Sequence, residues 1–183
     1  MSVVEETSAS KRARDLKVQL IPVDVNNVGR LKVLLEAILP VSYGETFFRK
    51  LFSSSDYPSS VIQLANTSNV AIGCLCCRLD KENAGGPAGA AADPDAVKNT
   101  LYIMTLGVLD AYRGRGVGTH MLKYILAEAK KLSGVKFVAL HVQTSNDAAV
   151  RFYERHGFSK AGRDETYYTK AEPRSAFIMR IEL

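Results

Sequence analysis

Apolar residues along the chain recur with a helical period in some segments and form short strand-like runs in others. In the first helical segment the apolar positions are Leu31, Leu34, Leu35 and Ile38, and Pro40 ends the repeat. Helices are predicted over 28–39, around 47–52, over 116–132 and over 146–156. Strands are predicted over 17–23, 61–65, 70–79, 99–108, 136–142, 158–168 and 174–182. This order predicts an α/β domain with a mixed sheet and helices on both of its faces.

Two segments lack an apolar repeat and are predicted to lie outside the core. Residues 1–15 carry polar side chains such as Glu5 and Ser8 where a signal peptide needs a continuous apolar stretch, which predicts a disordered tail. Residues 82–98 are mostly Gly, Ala, Pro and Asp, which predicts a flexible insertion. We interpret residues 16–183 as one domain, because a chain of 183 residues is too short for a complete TIM barrel.

The charge balance is moderately basic, with 24 Lys and Arg against 19 Asp and Glu and a formal net charge of +5. Lys11, Arg12 and Arg14 make the tail basic. This excess suits an anionic ligand or ribosome-like surroundings, and it is too small to predict direct DNA binding. The longest apolar windows, 28–41 and 70–77, fall short of the roughly 18 residues that cross a bilayer, so no membrane segment is predicted. We therefore expect a protein of the cytosol or the nucleus.

The three cysteines, Cys74, Cys76 and Cys77, lie together in one apolar run. An odd number of closely spaced cysteines argues against a disulfide framework. The neighbouring residues also lack further metal ligands, so no metal site is expected. These cysteines are predicted to be buried, reduced thiols.

A glycine-rich turn joins a predicted strand to a predicted helix over 106–119, with glycines at 114, 116 and 118. Unpaired amides at the helix start and the helix dipole would attract a phosphate, and Arg113 and Arg115 add positive charge. The turn fits neither the Walker pattern nor the dinucleotide pattern, because Thr119 stands at the sixth position of the latter. The alternative is a turn whose glycines only allow the helix and strand to pack.

Two motifs in this order resemble the signatures of the GNAT acetyltransferases. Arg113-x-x-Gly116-x-Gly118 is similar to that family's pyrophosphate loop, and 146–158 is similar to the helix that flanks the cofactor. Further segments resemble the NatE-type N-terminal acetyltransferases over roughly 16–180: Leu39-Pro40-Val41-Ser42-Tyr43, Cys76-Cys77-Arg78, 101–107, 140–143, Tyr167-Tyr168 and Glu172-Pro173.

The resemblance implies a GNAT fold, that is, a mixed, mostly antiparallel sheet with a splayed parallel pair of strands. It also implies acetyl-CoA as the cosubstrate and no metal. The implied cofactor-binding residues are Leu106, Gly107, Val108, Arg113, Gly114, Arg115, Gly116, Val117, Gly118, Thr119, Asn146 and Tyr153. The implied substrate-binding residues are Leu39, Pro40, Val41, Tyr43, Arg78, Tyr102, Met104, His141, Tyr167 and Tyr168.

The catalytic residues implied by the resemblance are Tyr102 and His141, which would hold a water that takes the proton of the attacking amine. The amides near Leu106 and Val108 would stabilise the oxyanion, and Tyr153 would protonate the leaving thiolate. Strand alternation independently places Tyr102, Met104 and Leu106 on one face. For each aromatic or histidine side chain the alternative is a structural residue that hydrogen-bonds through its polar tip.

The predicted function is transfer of acetyl from acetyl-CoA to free protein N-termini, with a preference for Met. Leu39 stands where the family more often has Phe, so this preference is expected to be looser. One alternative is a GNAT enzyme that acetylates lysine or a small amine. The other is a weakly catalytic subunit that docks on the ribosomal acetylation scaffold. The implied protein partners are the NatA auxiliary and catalytic subunits and the ribosome.

Overall fold

The computed structural model describes residues 16–39, 43–53, 62–80, 100–169 and 171–183. The helices are α1 (Val28–Ile38), α2 (Glu45–Ser53), α3 (Val117–Ala129) and α4 (Asp147–Glu154). The strands are β1 (Gln19–Pro22), β2 (Ile62–Thr67), β3 (Val70–Asp80), β4 (Thr100–Val108), β5 (Phe137–Gln143), β6 (Ser159–Asp164) and β7 (Ala176–Glu182). The tail 1–15, the insertion 82–98, Pro40 and Val41 lie outside the described residues, so the predictions made for them stay predictions.

The strands form a seven-stranded sheet in the order β1-β2-β3-β4-β5-β7-β6. The pairs β1–β2, β2–β3, β5–β7 and β6–β7 are antiparallel, whereas β4 and β5 are parallel. The parallel pairing joins Thr100–Tyr102 to Phe137–Ala139 and goes no further, although both strands continue. The predicted mixed, mostly antiparallel sheet with a splayed parallel pair is therefore confirmed.

Two predicted element boundaries are wrong. The strand predicted over 61–65 continues to Thr67, because Asn66 and Thr67 still pair with β3, and the turn before β3 is only Ser68–Asn69, with φ of 47° and 67°. The strand predicted over 158–168 ends at Asp164, whose Oδ1 accepts a hydrogen bond from the Thr166 amide at 2.8 Å. This side-chain turn redirects the chain before Tyr167.

The chain divides into two compact units. The first comprises the described parts of 1–76 together with 105–125, and its core includes Leu31, Leu64, Ile72 and Met121. Within this unit a Cβ atom added at Gly107 would lie 2.6 Å from Ile38 Cγ2. A glycine at this position therefore allows the end of α1 to lie against β4.

The second unit comprises the described parts of 77–104 together with 126–183. Its core includes Leu101, Val138, Leu140 and Met179, all of which are buried. Side chains on β5 alternate between buried and half-buried, with His141 and Gln143 on the half-buried face. This face carries the polar residues of the candidate site.

All three cysteines are buried and none of them forms a disulfide, as predicted. Burial raises the pKa of the Cys74 thiol to about 12 and that of Cys77 well above its usual range. Since the thiolate is the reactive form, these side chains serve as packing residues.

Candidate functional site

Three aromatic side chains of the second unit form one hydrogen-bonded group, Tyr102, His141 and Tyr167. The Tyr102 hydroxyl lies 2.9 Å from His141 Nδ1 and 2.8 Å from the Tyr167 hydroxyl. The His141 and Tyr167 rings are stacked, with centroids 4.1 Å apart and planes at 4°. Tyr102 is the last β4 residue paired with β5, so the group lies where the two strands separate.

Burial sets the protonation states of His141 and Tyr102. Desolvation lowers the pKa of His141 to about 4, the charge of Asp164 raises it in part, and the charge of Arg78 lowers it. Desolvation, together with Tyr167, raises the pKa of Tyr102 far above its usual range. At neutral pH the imidazole is therefore neutral and can accept a proton, while the Tyr102 phenol keeps its own.

Arg78 and Tyr168 surround the same group. The Arg78 guanidinium lies 4.9 Å from the centroid of the Tyr102 ring, in a cation–π contact. The Tyr168 ring packs edge-on against Tyr167 at 4.9 Å. The structure therefore brings together Arg78, Tyr102, His141, Tyr167 and Tyr168, five of the predicted site residues.

Hydrogen bonds hold the loop that carries these tyrosines. The Tyr168 amide donates to Arg174 O at 2.9 Å, and Arg174 Nε donates back to Tyr168 O at 3.2 Å. Gln143 Nε2 donates to Pro173 O at 2.8 Å. The loop at Glu172-Pro173 is thus joined to β5, two residues beyond His141.

Tyr153 lies on α4 in the second unit and is 7% exposed. Its ring packs edge-on against Phe158 at 5.4 Å. Burial raises the pKa of its hydroxyl, which therefore stays protonated and remains able to donate a proton. Asn146 caps the same helix, because its Oδ1 accepts a hydrogen bond from the Ala149 amide at 3.0 Å.

The glycine-rich turn belongs to the first unit and leads directly into α3. Gly114 and Gly116 have φ of 71° and 81°, and a Cβ atom at either would meet no heavy atom within 4 Å. The two glycines are thus required by the backbone conformation, and the space beside them is open. Val117, Gly118 and Thr119 form the first turn of α3, whose leading amides have no intrahelical partner.

The two arginines of the turn are held by the turn itself. Arg113 Nε donates to Val108 O at 3.1 Å, and its Nη2 pairs with Asp110 at 2.8 Å. The Arg115 guanidinium lies 5.7 Å from the centroid of the Tyr112 ring. Arg113 therefore braces the loop in addition to any role with an anion.

The β4 backbone offers two amides at its end. The Leu109 amide donates to Ile72 O of β3 at 2.9 Å. Because successive amides of a strand point to opposite sides, those of Leu106 and Val108 point away from β3. This is the orientation that the predicted oxyanion role needs.

The predicted apolar wall is described in part. In the first unit, Leu39 is half-buried and the Tyr43 hydroxyl lies 3.2 Å from Thr105 Oγ1. In the second unit, Met104 is half-buried. Pro40 and Val41 lie outside the described residues.

Sequence reasoning missed Asp164, which acts on the charge of His141. The sequence pattern assigned Asp164 to the middle of a strand. The pairing irregularity between Lys160 and Gly162 determines the face on which Asp164 lies, and the alternation of polar and apolar residues does not predict it. Among the described residues, no group of three or more His, Cys, Asp or Glu could hold a metal ion. In the same part of the chain, no helix is long and apolar enough to cross a membrane.

The sequence matches the acetyltransferase (GNAT) family over residues 30–158. It is 32% identical to N-alpha-acetyltransferase 50 of Danio rerio, covering 91% of this chain and 89% of that protein. It is also 32% identical to the probable N-acetyltransferase san of Drosophila melanogaster, covering 89% and 79% respectively. Arabidopsis thaliana Naa50, solved with the bisubstrate analogue CoA-Ac-MVNAL, superposes with a TM-score of 0.73 at 30% identity, covering 91% of this chain and 99% of that one. The chain belongs to the GNAT family of acetyltransferases.

Proposed function

We propose that this protein transfers acetyl from acetyl-CoA to the free α-amino group of protein N-termini and prefers termini that begin with Met. The hydrogen-bonded group of Tyr102, His141 and Tyr167 at the β4–β5 separation carries this proposal. The relatives named N-alpha-acetyltransferase support the reaction class. The Arabidopsis relative's analogue, whose peptide letters begin with M, supports the choice of Met.

The glycine-rich turn supports acetyl-CoA as the cosubstrate. Gly114 and Gly116 keep the space beside the backbone open, and the start of α3 supplies amides and the positive end of a helix dipole. Arg115 adds a full charge nearby, while Arg113 keeps the turn in shape through Asp110. The turn therefore offers backbone and side-chain hydrogen-bond donors to a pyrophosphate.

Tyr102 and His141 remove the proton of the attacking amine. A free α-amino group titrates at about 7.7 to 8.0, so most of it is protonated at neutral pH and must lose a proton before or during attack. The ammonium group first loses one proton to solvent. As the new C–N bond forms, a second proton passes through the water of the Tyr102–His141 pair to the Tyr102 oxygen, while Tyr102 passes its own proton to His141 Nδ1. The Tyr167 hydroxyl lies 2.8 Å from the Tyr102 oxygen and keeps that phenol oriented toward His141.

The remaining charge changes involve the β4 backbone and Tyr153. The amides of Leu106 and Val108 stabilise the carbonyl oxygen when it becomes negative. When the C–S bond breaks, the Tyr153 hydroxyl, which burial keeps protonated, gives its proton to the sulfur. The imidazolium proton then returns to solvent and Tyr153 takes up one proton from solvent, so both side chains regain their starting states and one proton is released per acetyl group transferred.

We propose that Leu39 and Tyr43 belong to the apolar wall against which the first side chain of the peptide lies, and the resemblance implies the same role for Pro40, Val41 and Met104. Burial of a long thioether against such a wall is favoured over burial of a charged or very small side chain. Arg78, Tyr167 and Tyr168 would frame the peptide backbone. We also propose, from the resemblance, a cytosolic or nuclear location and docking on NatA subunits and the ribosome.

The test is an acetylation assay with radiolabelled acetyl-CoA and three peptides of the same length. One begins with Met followed by an apolar residue, one begins with Ser, and one has a blocked N-terminus and an internal lysine. Acetylation that is fastest on the first peptide supports the proposal. Faster acetylation of the lysine peptide would favour a lysine acetyltransferase, and no turnover despite acetyl-CoA binding would favour the docking subunit.

A further inference from the structure

An irregularity in the β6–β7 pairing determines which face of the sheet Asp164 occupies. Lys160 is opposite Met179 and Gly162 is opposite Ile178, so one residue of β6 has no partner between them. Directly opposed residues share a face, and successive residues alternate between faces. Regular pairing would have kept Asp164 on the face of Met179, whereas the bulge moves it to the face of Ile178.

His141 is on that same face. It is opposite Ile178 in the β5–β7 pair, while Gln143 and Asp164 are both opposite Ala176. Ala176 lies between Gln143 and Asp164 in this row, and its side chain is only a methyl group. No large side chain of β7 therefore separates β5 from Asp164 in this row. The bulge therefore turns an acidic side chain toward the imidazole, at a position where regular pairing would direct it to the buried side.

Two buried polar atoms on this face lack a hydrogen-bond partner in the part of the chain that the structure describes. His141 Nε2 and Asp164 Oδ2 are both buried, and neither has a hydrogen-bond partner among the described residues. The other atom of each group is used, because Nδ1 contacts Tyr102 and Oδ1 accepts from the Thr166 amide. A buried N–H and a buried carboxylate oxygen each cost free energy when left unpaired.

We propose that Asp164 is a positioning residue for His141. Its carboxylate accepts a hydrogen bond from the imidazole Nε2–H through one bridging water, which leaves Nδ1 as the acceptor for Tyr102. This inference rests on the proposed function for its catalytic meaning. The hydrogen bonds of the group then all run in one direction. Tyr167 donates to Tyr102, Tyr102 donates to His141, and His141 donates toward Asp164. A neutral imidazole without this carboxylate could carry its proton on Nδ1 instead, which would reverse the bond to Tyr102.

The surrounding charges agree with this role. Among the described residues, the charged and titratable groups that contact the imidazole or act on its charge are Arg78 of β3, Tyr102 of β4, Asp164 of β6 and Tyr167 of the loop after β6. Desolvation and Arg78 lower the pKa of His141, and Asp164 acts in the opposite direction. Asp164 thus favours the imidazolium that forms during proton transfer.

The test compares Asp164→Asn with a matched control, Glu165→Gln. Asn keeps an oxygen for the Thr166 amide, so the turn is preserved while the charge is lost. Glu165 is the next residue, is exposed, and pairs with Arg163 at 2.8 Å, so its variant makes the same charge change away from the imidazole. The readouts are the tautomer of His141 at pH 7, from ¹⁵N–¹H NMR assigned with His141→Gln, and kcat on a Met-starting peptide.

In the wild type and Glu165→Gln we expect the proton on Nε2 and equal kcat. In Asp164→Asn we expect a population with the proton on Nδ1 and a kcat lower by about 10-fold to 100-fold, the effect of one lost bond to a charged group. An unchanged tautomer or an unchanged kcat in Asp164→Asn overturns the inference. A wild type that acetylates no N-terminus contradicts the proposed function instead, and the tautomer measurement then decides the inference alone.

Discussion

His141 and Tyr167 stack with their ring centroids 4.1 Å apart, and both of them hydrogen-bond to the Tyr102 hydroxyl. Tyr167 comes from the loop after β6, whereas Tyr102 and His141 come from neighbouring strands. Tyr167 thus supports the other two residues in two separable ways, by stacking and by its hydroxyl. The two contributions can be measured separately.

Tyr167→Phe keeps the ring and removes the hydroxyl, whereas Tyr167→Ala removes both. We expect kcat to fall by roughly 3-fold to 10-fold in the Phe variant, the usual effect of one lost neutral hydrogen bond. The Ala variant should lose more, because the imidazole also loses its stacking partner. Steady-state kinetics and acetyl-CoA calorimetry check this; equal kcat in wild type and both variants would show that Tyr167 contacts the pair without assisting it.

Tyr102→Phe and His141→Ala should lower kcat by about 10²-fold to 10⁴-fold, because both interrupt the route of the amine proton. Their acetyl-CoA affinity should change little, since the contacts that hold Arg113 and Arg115 of the phosphate turn involve neither Tyr102 nor His141. The double variant should lose less than the product of the two single losses, because both residues serve one proton route. Wild-type rates in the single variants would assign both side chains to a structural role.

The Tyr102–His141 pair was predictable from the sequence, whereas Asp164, the proposed positioning residue, was not. Alternation along β4 and β5 places both side chains on half-buried faces, and the resemblance names them. The orientation of Asp164 depends on a pairing irregularity between β6 and β7 that involves residues far apart in sequence. A pattern of polar and apolar residues within one segment does not contain this information.

The glycine-rich turn likewise has features that the sequence predicts and features that it does not. Its sequence indicates an anion site, and the positive φ of Gly114 and Gly116 agrees with that prediction. The salt bridge that holds Arg113 on Asp110 depends on the turn's three-dimensional course, so the sequence alone suggests only a cation next to phosphate. Gly107 was predicted as a cofactor residue, and the structure adds a packing reason for it, the contact with Ile38.

Replacing Gly116 with Val should weaken acetyl-CoA binding sharply. Its φ of 81° is unfavourable for a β-branched residue, and a side chain there would enter the open space beside the turn. Arg113→Glu should weaken binding too, because it breaks the contacts with Val108 and Asp110 and introduces a negative charge. Titration calorimetry measures both, with Gly29→Ala as a control.

Gly29 lies in α1, and a Cβ there meets nothing within 4 Å. Its variant should bind acetyl-CoA normally and raise the free energy of unfolding by about 0.5 to 1 kcal/mol through helix propensity. Unchanged affinity in both Gly116→Val and Arg113→Glu would mean that acetyl-CoA binds elsewhere.

His141 should make unfolding pH-dependent in an acidic window. Its pKa is about 4 in the folded protein, whereas an unperturbed histidine has a pKa of 6.5, so between these values the unfolded chain binds more protons. The free energy of unfolding should therefore fall as the pH decreases from 6.5 to 4. His141→Gln removes this contribution and should show a shallower slope, measured by urea unfolding across that range. Parallel slopes in the two proteins would contradict the shifted pKa.

Substrate selection is the property on which Leu39 and the surrounding apolar wall should have the largest effect. Leu39 is half-buried just after the end of α1, and its amide donates to Leu35 O at 3.0 Å, so its position is fixed by the helix end. The resemblance places a larger Phe here in most family members, which would narrow the space for the first side chain of the peptide. We therefore expect the wild type to favour Met termini over Leu and Ile termini by only a small ratio of kcat/KM.

Leu39→Phe should narrow this range in favour of Met, because an unbranched thioether fits a reduced space that a branched side chain does not. The expected change in the ratio of kcat/KM for Met over Ile is about 10-fold, the discrimination that one methylene provides in an apolar pocket. The measurement uses free-amine peptides that differ only at the first residue, with exposed Val33→Ala on α1 as the control variant. An identical ratio in Leu39→Phe and wild type would place the first side chain elsewhere, and faster turnover of Ser- or Ala-starting peptides would contradict the apolar wall itself.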